Sequence, residues 1–213
     1  MGKVRPLKWL TAILFFIAGP LRIQGKRNIP RTGGVLLVLN HRSVIDPVIA
    51  QHGCDRFIHY MSRSELFQQK NYWSRFFTWL ITTYGAFPVK RWSADFQAIR
   101  KAIRLLNEGR VVLIFPEGDV NRTPEKQLLS FRKGAAFIAR VTGVPVICGA
   151  IVNSGRIWPS GAHIIPSKLF GRLKIIWGQP IRYPWQIPCS SNKMSSEIIA
   201  RDMEKNVLAM LLG

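Results

Sequence analysis

The chain has 213 residues, 47% of them hydrophobic, and a formal charge of +20 from 31 Lys and Arg against 11 Asp and Glu. That length and apolar content suit one sizeable core, and the scatter of the basic residues excludes a disordered basic tail. The charge calls for an anionic partner. A membrane surface fits better than nucleic acid, because several of the 7 Trp and 12 Phe stand next to Lys and Arg. That is the composition of a headgroup interface, whereas no RNA-recognition, zinc-finger or basic-zipper pattern occurs.

Chain order begins with a basic start and an apolar run from Trp9 to Gly19. This run is shorter than the roughly 20 residues that span a bilayer. It fits a retained helix docked in the interface, with Trp9 and Lys8 at headgroup level. A cleaved signal is the alternative, but Pro20 and Leu21 stand where small residues belong. Pro6 breaks the myristoylation pattern that Met-Gly would begin.

Five runs rich in Val, Ile and Leu then read as strands: residues 34–40, 57–61, 110–116, 144–152 and 173–178. Their near-continuous apolar character predicts burial on both faces. Residues 93–109 carry apolar side chains at Phe96, Ile99, Ile103 and Leu106, a helical spacing, with Ser93 as N-cap and Gly109 as terminator. Residues 131–143 and 195–212 read as two more helices, the latter capped by Ser195 or Ser196. The aromatic stretch 71–87 reads as a helix that is either buried or in contact with lipid. Strand–helix alternation predicts an α/β fold: a mainly parallel mixed sheet flanked by helices, preceded by the N-terminal membrane-docking segment.

Cys54, Cys148 and Cys189 have neither zinc nor disulfide-framework spacing, and a reducing compartment is expected. His52, His59 and His163 lack a partner carboxylate at a recognisable spacing, and no G-x-S-x-G elbow surrounds Ser43. A candidate pair stands in N-H-R-S-V-I-D-P, residues 40–47. Five residues of continuous helix rotate by about 500°, which would point His41 and Asp46 roughly 140° apart. They meet only if the chain turns between them. A strand ending near Asn40 and a helix starting at Asp46–Pro47 would supply that turn. Asp46 would then orient a basic His41. Taken alone, the spacing better fits a loop histidine beside a helix-capping aspartate, since polar pairs five residues apart arise often by chance.

Three further blocks follow in order: G-A-F-P-V-K-R (85–91), L-I-F-P-E-G-D-V-N-R (113–122) and V-P-V-I-C-G-A-I-V (144–152). Together with N-H-R-S-V-I-D-P they resemble the glycerolipid acyltransferase family, from about Gly25 to about Gly178. Residues 131–139, F-R-K-G-A-A-F-I-A, resemble the family's segment after F-P-E-G. The resemblance implies His41 as general base and Asp46 as its orienter. An acyl thioester, on coenzyme A or acyl carrier protein, would be attacked directly by the acceptor hydroxyl, with no acyl-enzyme, metal or other cofactor. It implies acceptor and phosphate binding by Lys90, Arg91, Glu117 and Gly118, with Lys133 in the segment that follows; Arg122 joins them if a shifted loop lets it take the place of the family's arginine. The expected acceptor is lysophosphatidic acid and the product phosphatidic acid, made on the cytoplasmic face of the inner (plasma) membrane. The domains would be a docking segment over 1–24 and an acyltransferase domain over 25–213.

One departure bears on the acceptor. The family usually follows F-P-E-G with Thr and Arg; here Asp119 and Val120 stand there, and the next arginine is Arg122. A carboxylate beside a phosphate site repels it. A different lyso-lipid acceptor is one alternative, and a non-catalytic lipid-binding module is another.

Overall fold

A computed structural model describes residues 20–68, 71–90, 95–123, 125–157, 172–183 and 192–213. The Trp9–Gly19 run, Arg91 and Ser93 lie outside them. Strands β1 (Arg22–Gln24), β2 (Val35–Leu39), β3 (Ile58–Arg63), β4 (Ala86–Val89), β5 (Val111–Ile114), β6 (Val146–Val152) and β7 (Lys174–Ile181) form one sheet. Its order is β1-β7-β6-β2-β5-β3-β4. Strands β2 to β6 run parallel to their neighbours, β7 is antiparallel to β6, and β1 is parallel to β7. The helices are α1 (Asp46–His52), α2 (Tyr72–Thr83), α3 (Phe96–Asn107), α4 (Lys133–Thr142) and α5 (Asn192–Leu212), with one helical turn at Ser154–Ile157. Among the described residues, no helix is long and apolar enough to cross a membrane.

Three of the five apolar runs, β2, β5 and β6, form strands buried on both faces, whereas β3 and β7 alternate buried with half-buried or exposed positions. Every residue of β2 is buried, and successive side chains point to opposite faces. Val35, Leu37 and Leu39 join Ile49 and Ala50 of α1 on one face. Leu36 and Val38 join α3, α4 and α5 on the other. Each fully buried Leu or Val contributes about 1.5–3 kcal/mol.

This layering makes the site. The chain leaves β2 for α1 on one face and leaves β5 for α4 on the opposite face, yet β2 and β5 are hydrogen-bonded neighbours. The two connections part at the carboxyl ends of these strands, the position where open α/β sheets bind ligands.

Several boundaries differ from the sequence reading. Residues 71–87 divide into α2 and the start of β4, because Gly85 turns the chain with φ +90, a conformation open to glycine. A capping box starts α2: Asn71 Oδ1 accepts the Ser74 N–H at 2.8 Å and the Asn71 N–H donates to Ser74 Oγ at 2.9 Å. Asp95 caps α3, its Oδ1 accepting the N–H groups of Gln97 and Ala98 at 3.1 and 3.0 Å. Helix α5 starts at Asn192, so Ser195 and Ser196 lie inside it rather than at its cap. Residues 22–24, read as the end of the docking segment, pair with β7 as the edge of the sheet.

Candidate active site

Asn40 fixes the end of β2. Its Nδ2 donates to Ile151 O at 2.9 Å and its Oδ1 accepts the Ile151 N–H at 2.7 Å, clamping the chain to β6. The next residue, His41, is held by its backbone on both sides: its N–H donates to Glu117 Oε1 at 2.6 Å, and its carbonyl accepts the Asn121 N–H at 2.7 Å.

The chain then turns. The Asp46 N–H donates to Ser43 O at 3.2 Å, and Asp46 becomes the first residue of α1 with Pro47 behind it. The turn brings Asp46 Oδ2 to 2.9 Å from His41 Nδ1. The same oxygen accepts the N–H groups of Arg42 at 2.7 Å and Ser43 at 2.8 Å. Asp46 is fully buried, while the His41 side chain keeps 16% of its surface exposed. Acting only as an acceptor, Oδ2 places the ring proton on Nδ1 and leaves the lone pair on Nε2. The ring lies on Phe115, centroids 4.1 Å apart and planes 17° from parallel, so it cannot swing away from that orientation without losing the stack.

The F-P-E-G turn follows β5. Glu117 is buried, and its two oxygens serve two backbone groups: Oε1 takes the His41 N–H and Oε2 the Leu129 N–H at 2.8 Å. Burial pushes its carboxyl up to about 7, against the pull of those two N–H groups. Gly118 has φ +78, and a Cβ there would run into the Arg132 guanidinium. The Arg132 N–H in turn donates to Pro116 O at 2.8 Å, joining the start of α4 to the turn.

The departure at Asp119–Val120 has a structural form. Asp119 Oδ1 accepts the Val120 N–H at 2.7 Å, Val120 is buried, and Asn121 is buried next to it. Asn121 Nδ2 donates to Lys126 O at 2.9 Å, and the Arg42 guanidinium donates to Thr123 O at 3.0 Å and Lys126 O at 2.6 Å. The loop is thereby laced to the His41 turn, and Arg122 is exposed on it.

The other expected binding residues are spread out. Lys90 is exposed at the end of β4, its N–H donating to Asp95 Oδ2 at 2.7 Å. Strand β4 lies three places from β2, about 14 Å at ordinary strand spacing. Lys133 gives its ammonium to Glu197 of α5 at 2.8 Å. The contacts of Glu117 and Lys133 are thus to the protein's own backbone and to α5, where acceptor binding was expected. Asn40, Arg42, Phe115, Asn121 and Arg132 were not singled out from the sequence. Asn40 and Phe115 stand inside blocks already noted, but their work is done through backbone atoms and a ring face, which no spacing rule exposes.

A histidine held by a buried carboxylate at the carboxyl ends of a parallel sheet is an arrangement able to accept a proton from a bound nucleophile. The chain belongs to the acyltransferase family, whose sequence pattern matches residues 20–152. Among its relatives, the 1-acyl-sn-glycerol-3-phosphate acyltransferase of Bacillus subtilis is 31% identical over 170 residues, 79% of this chain and 77% of that one. A chloroplast 1-acyl-sn-glycerol-3-phosphate acyltransferase of Arabidopsis thaliana is 28% identical over 164 residues, 76% of this chain but 43% of the plant protein. The crystal structure of the 1-acyl-sn-glycerophosphate (LPA) acyltransferase PlsC from Thermotoga maritima shares the fold. It has a TM-score of 0.71 at 21% identity, covering 97% of this chain and 79% of that one.

Proposed function

We propose that this chain transfers a fatty acyl group from an acyl thioester to the free hydroxyl of lysophosphatidic acid, giving phosphatidic acid for phospholipid synthesis. The observation that carries the reading is the 2.9 Å contact of His41 Nδ1 with the buried Asp46, which leaves the other ring nitrogen for a substrate proton. Family membership and the shared name of the relatives support it.

An alcohol is a poor nucleophile at neutral pH, and a thioester is already activated. His41 Nε2 takes the hydroxyl proton as the oxygen bonds to the thioester carbonyl carbon. The tetrahedral intermediate then collapses, the C–S bond breaks, and the thiolate receives that proton from His41. Asp46 stabilises the imidazolium in between. A positioned base of this kind contributes on the order of 10²–10⁴ in rate. Lys90, Arg91 and Arg122 supply the cationic surroundings for the acceptor phosphate, and Gly118 lets the chain approach it. Glu117 and Lys133 shape that region from behind.

Acceptor and donor chains both favour burial, at about 0.8 kcal/mol per CH₂. The enzyme is therefore read as working on the cytoplasmic face of the membrane, with coenzyme A or acyl carrier protein bearing the donor. The +20 charge suits that anionic surface.

The test is an acceptor panel: a labelled acyl thioester with lysophosphatidic acid, glycerol-3-phosphate or lysophosphatidylcholine. Preferred acylation of lysophosphatidic acid is the expected result. Preference for another lyso-lipid would assign Asp119 and Val120 to a changed acceptor site, and no acylation of any acceptor would overturn the reading.

A further inference from the structure

Helix α2 turns its aromatic residues outward. Tyr72 is 88% exposed, Phe76 55% and Trp79 61%. Their spacing of four and then three residues sets them on one stripe. The rings of Phe76 and Trp79 touch, with centroids 5.9 Å apart, and Phe77 is exposed on the flank. The other side of the helix is already seated: Ile81 packs on the core, and Thr78 Oγ1 donates to Leu66 O at 3.0 Å. Among the described residues, nothing covers this outer apolar stripe.

The residue types and charges of the patch identify what covers it. Trp, Tyr and Phe are the side chains of the membrane–water boundary. From the end of β3 to the end of β4 the cations are Arg63, Lys70, Arg75 and Lys90, against Glu65 alone. Helix α2 itself holds no acidic residue. Position adds a third argument. The helix follows β3, whose carboxyl end lies on the same edge of the sheet as the end of β2 and His41, so a bilayer held against α2 lies on the side of the sheet from which the site is approached.

We propose that the Tyr72–Phe76–Trp79 stripe inserts into the boundary between headgroups and acyl chains of an anionic bilayer, with Arg75 and Lys90 at the level of the lipid phosphates. This deepens the lyso-lipid reading and rests on it for its purpose, since the acceptor is drawn from that bilayer. The contact itself needs no turnover.

The experiment uses the full chain with Cys189→Ser and an environment-sensitive dye on Phe76→Cys. Vesicles are phosphatidylglycerol and phosphatidylcholine in equal parts. A control carries the dye on Phe96→Cys, an exposed position of α3 on the opposite face of the sheet. The expected result is a blue shift at position 76 on adding vesicles, with quenching by brominated acyl chains, and neither effect at position 96. No response at 76, or an equal response at 96, overturns the proposal. A blue shift already present without vesicles also overturns it. Dependence on protein concentration would then point to a second copy of the chain on the stripe, and independence to residues 1–19. A variant with Tyr72→Ser, Phe76→Ser and Trp79→Ser should acylate vesicle-borne lysophosphatidic acid about tenfold more slowly and a short-chain, water-soluble acceptor at the wild-type rate. Equal rates of wild type and variant on vesicles would contradict the docking role. If wild type acylates neither acceptor, the functional reading fails while the dye result still decides the contact.

Discussion

Glu117 holds His41 by its backbone: the carboxylate accepts the His41 N–H at 2.6 Å while the imidazole turns the other way, to Asp46. One acidic residue thus fixes where His41 stands and another fixes which ring nitrogen carries the proton. Because Glu117 also accepts the Leu129 N–H, it joins the turn after β2 to the loop before α4.

Glu117→Gln should therefore act through position. An amide offers one acceptor and one donor, so one of the two backbone N–H groups faces a donor and loses its bond, at about 1–3 kcal/mol. Activity should fall mainly in kcat, with the acceptor KM little changed.

The same variant tests the pH linkage. Glu117 titrates near 7 in the folded protein against an ordinary value of 4.5, so between those values the folded state binds more protons than the unfolded chain. Its contribution to stability is full below pH 4.5 and lost as pH rises through 7. Denaturant melts of wild type and Glu117→Gln across this window should show the wild type losing stability relative to the variant as pH rises.

Gly118→Ala should destabilise the fold. The position has φ +78 and a Cβ meets the Arg132 guanidinium. The left-handed conformation alone costs a residue with a Cβ about 1–2 kcal/mol. Thermal melts of the purified variant measure this, and an unchanged midpoint would show that the turn can relax.

Asp46→Asn keeps an acceptor for the N–H groups of Arg42 and Ser43 but no longer enforces the Nδ1–H tautomer. Turnover should drop by about 10²–10⁴, with far smaller loss of stability. Steady-state kinetics beside a denaturant melt separates the two effects.

Much of this was legible in the sequence because burial leaves a written trace. Strands β2, β5 and β6 are covered on both faces, so their apolar runs are unbroken, and the order of β2, α1 and the F-P-E-G turn followed from them. Strand β1 left no such trace: Arg22, Ile23 and Gln24 are joined to β7 through backbone bonds at the sheet's edge. The division of 71–87 was hidden for a related reason, since its aromatic composition is continuous and only the Gly85 backbone breaks it. At the site, the His41–Asp46 pair showed as side-chain letters at a spacing. The clamps that hold it, Asn40 on Ile151 and Glu117 on His41, end on backbone N–H and C=O groups that every residue possesses.

The central claim is that His41 is the base, and single-turnover acylation of lysophosphatidic acid by His41→Ala tests it most directly. With the wild-type fold verified by its melt, the variant should lose about 10²–10⁴ in rate. Acylation within a few-fold of wild type would contradict the account and leave His41 as a loop histidine beside the first residue of a helix.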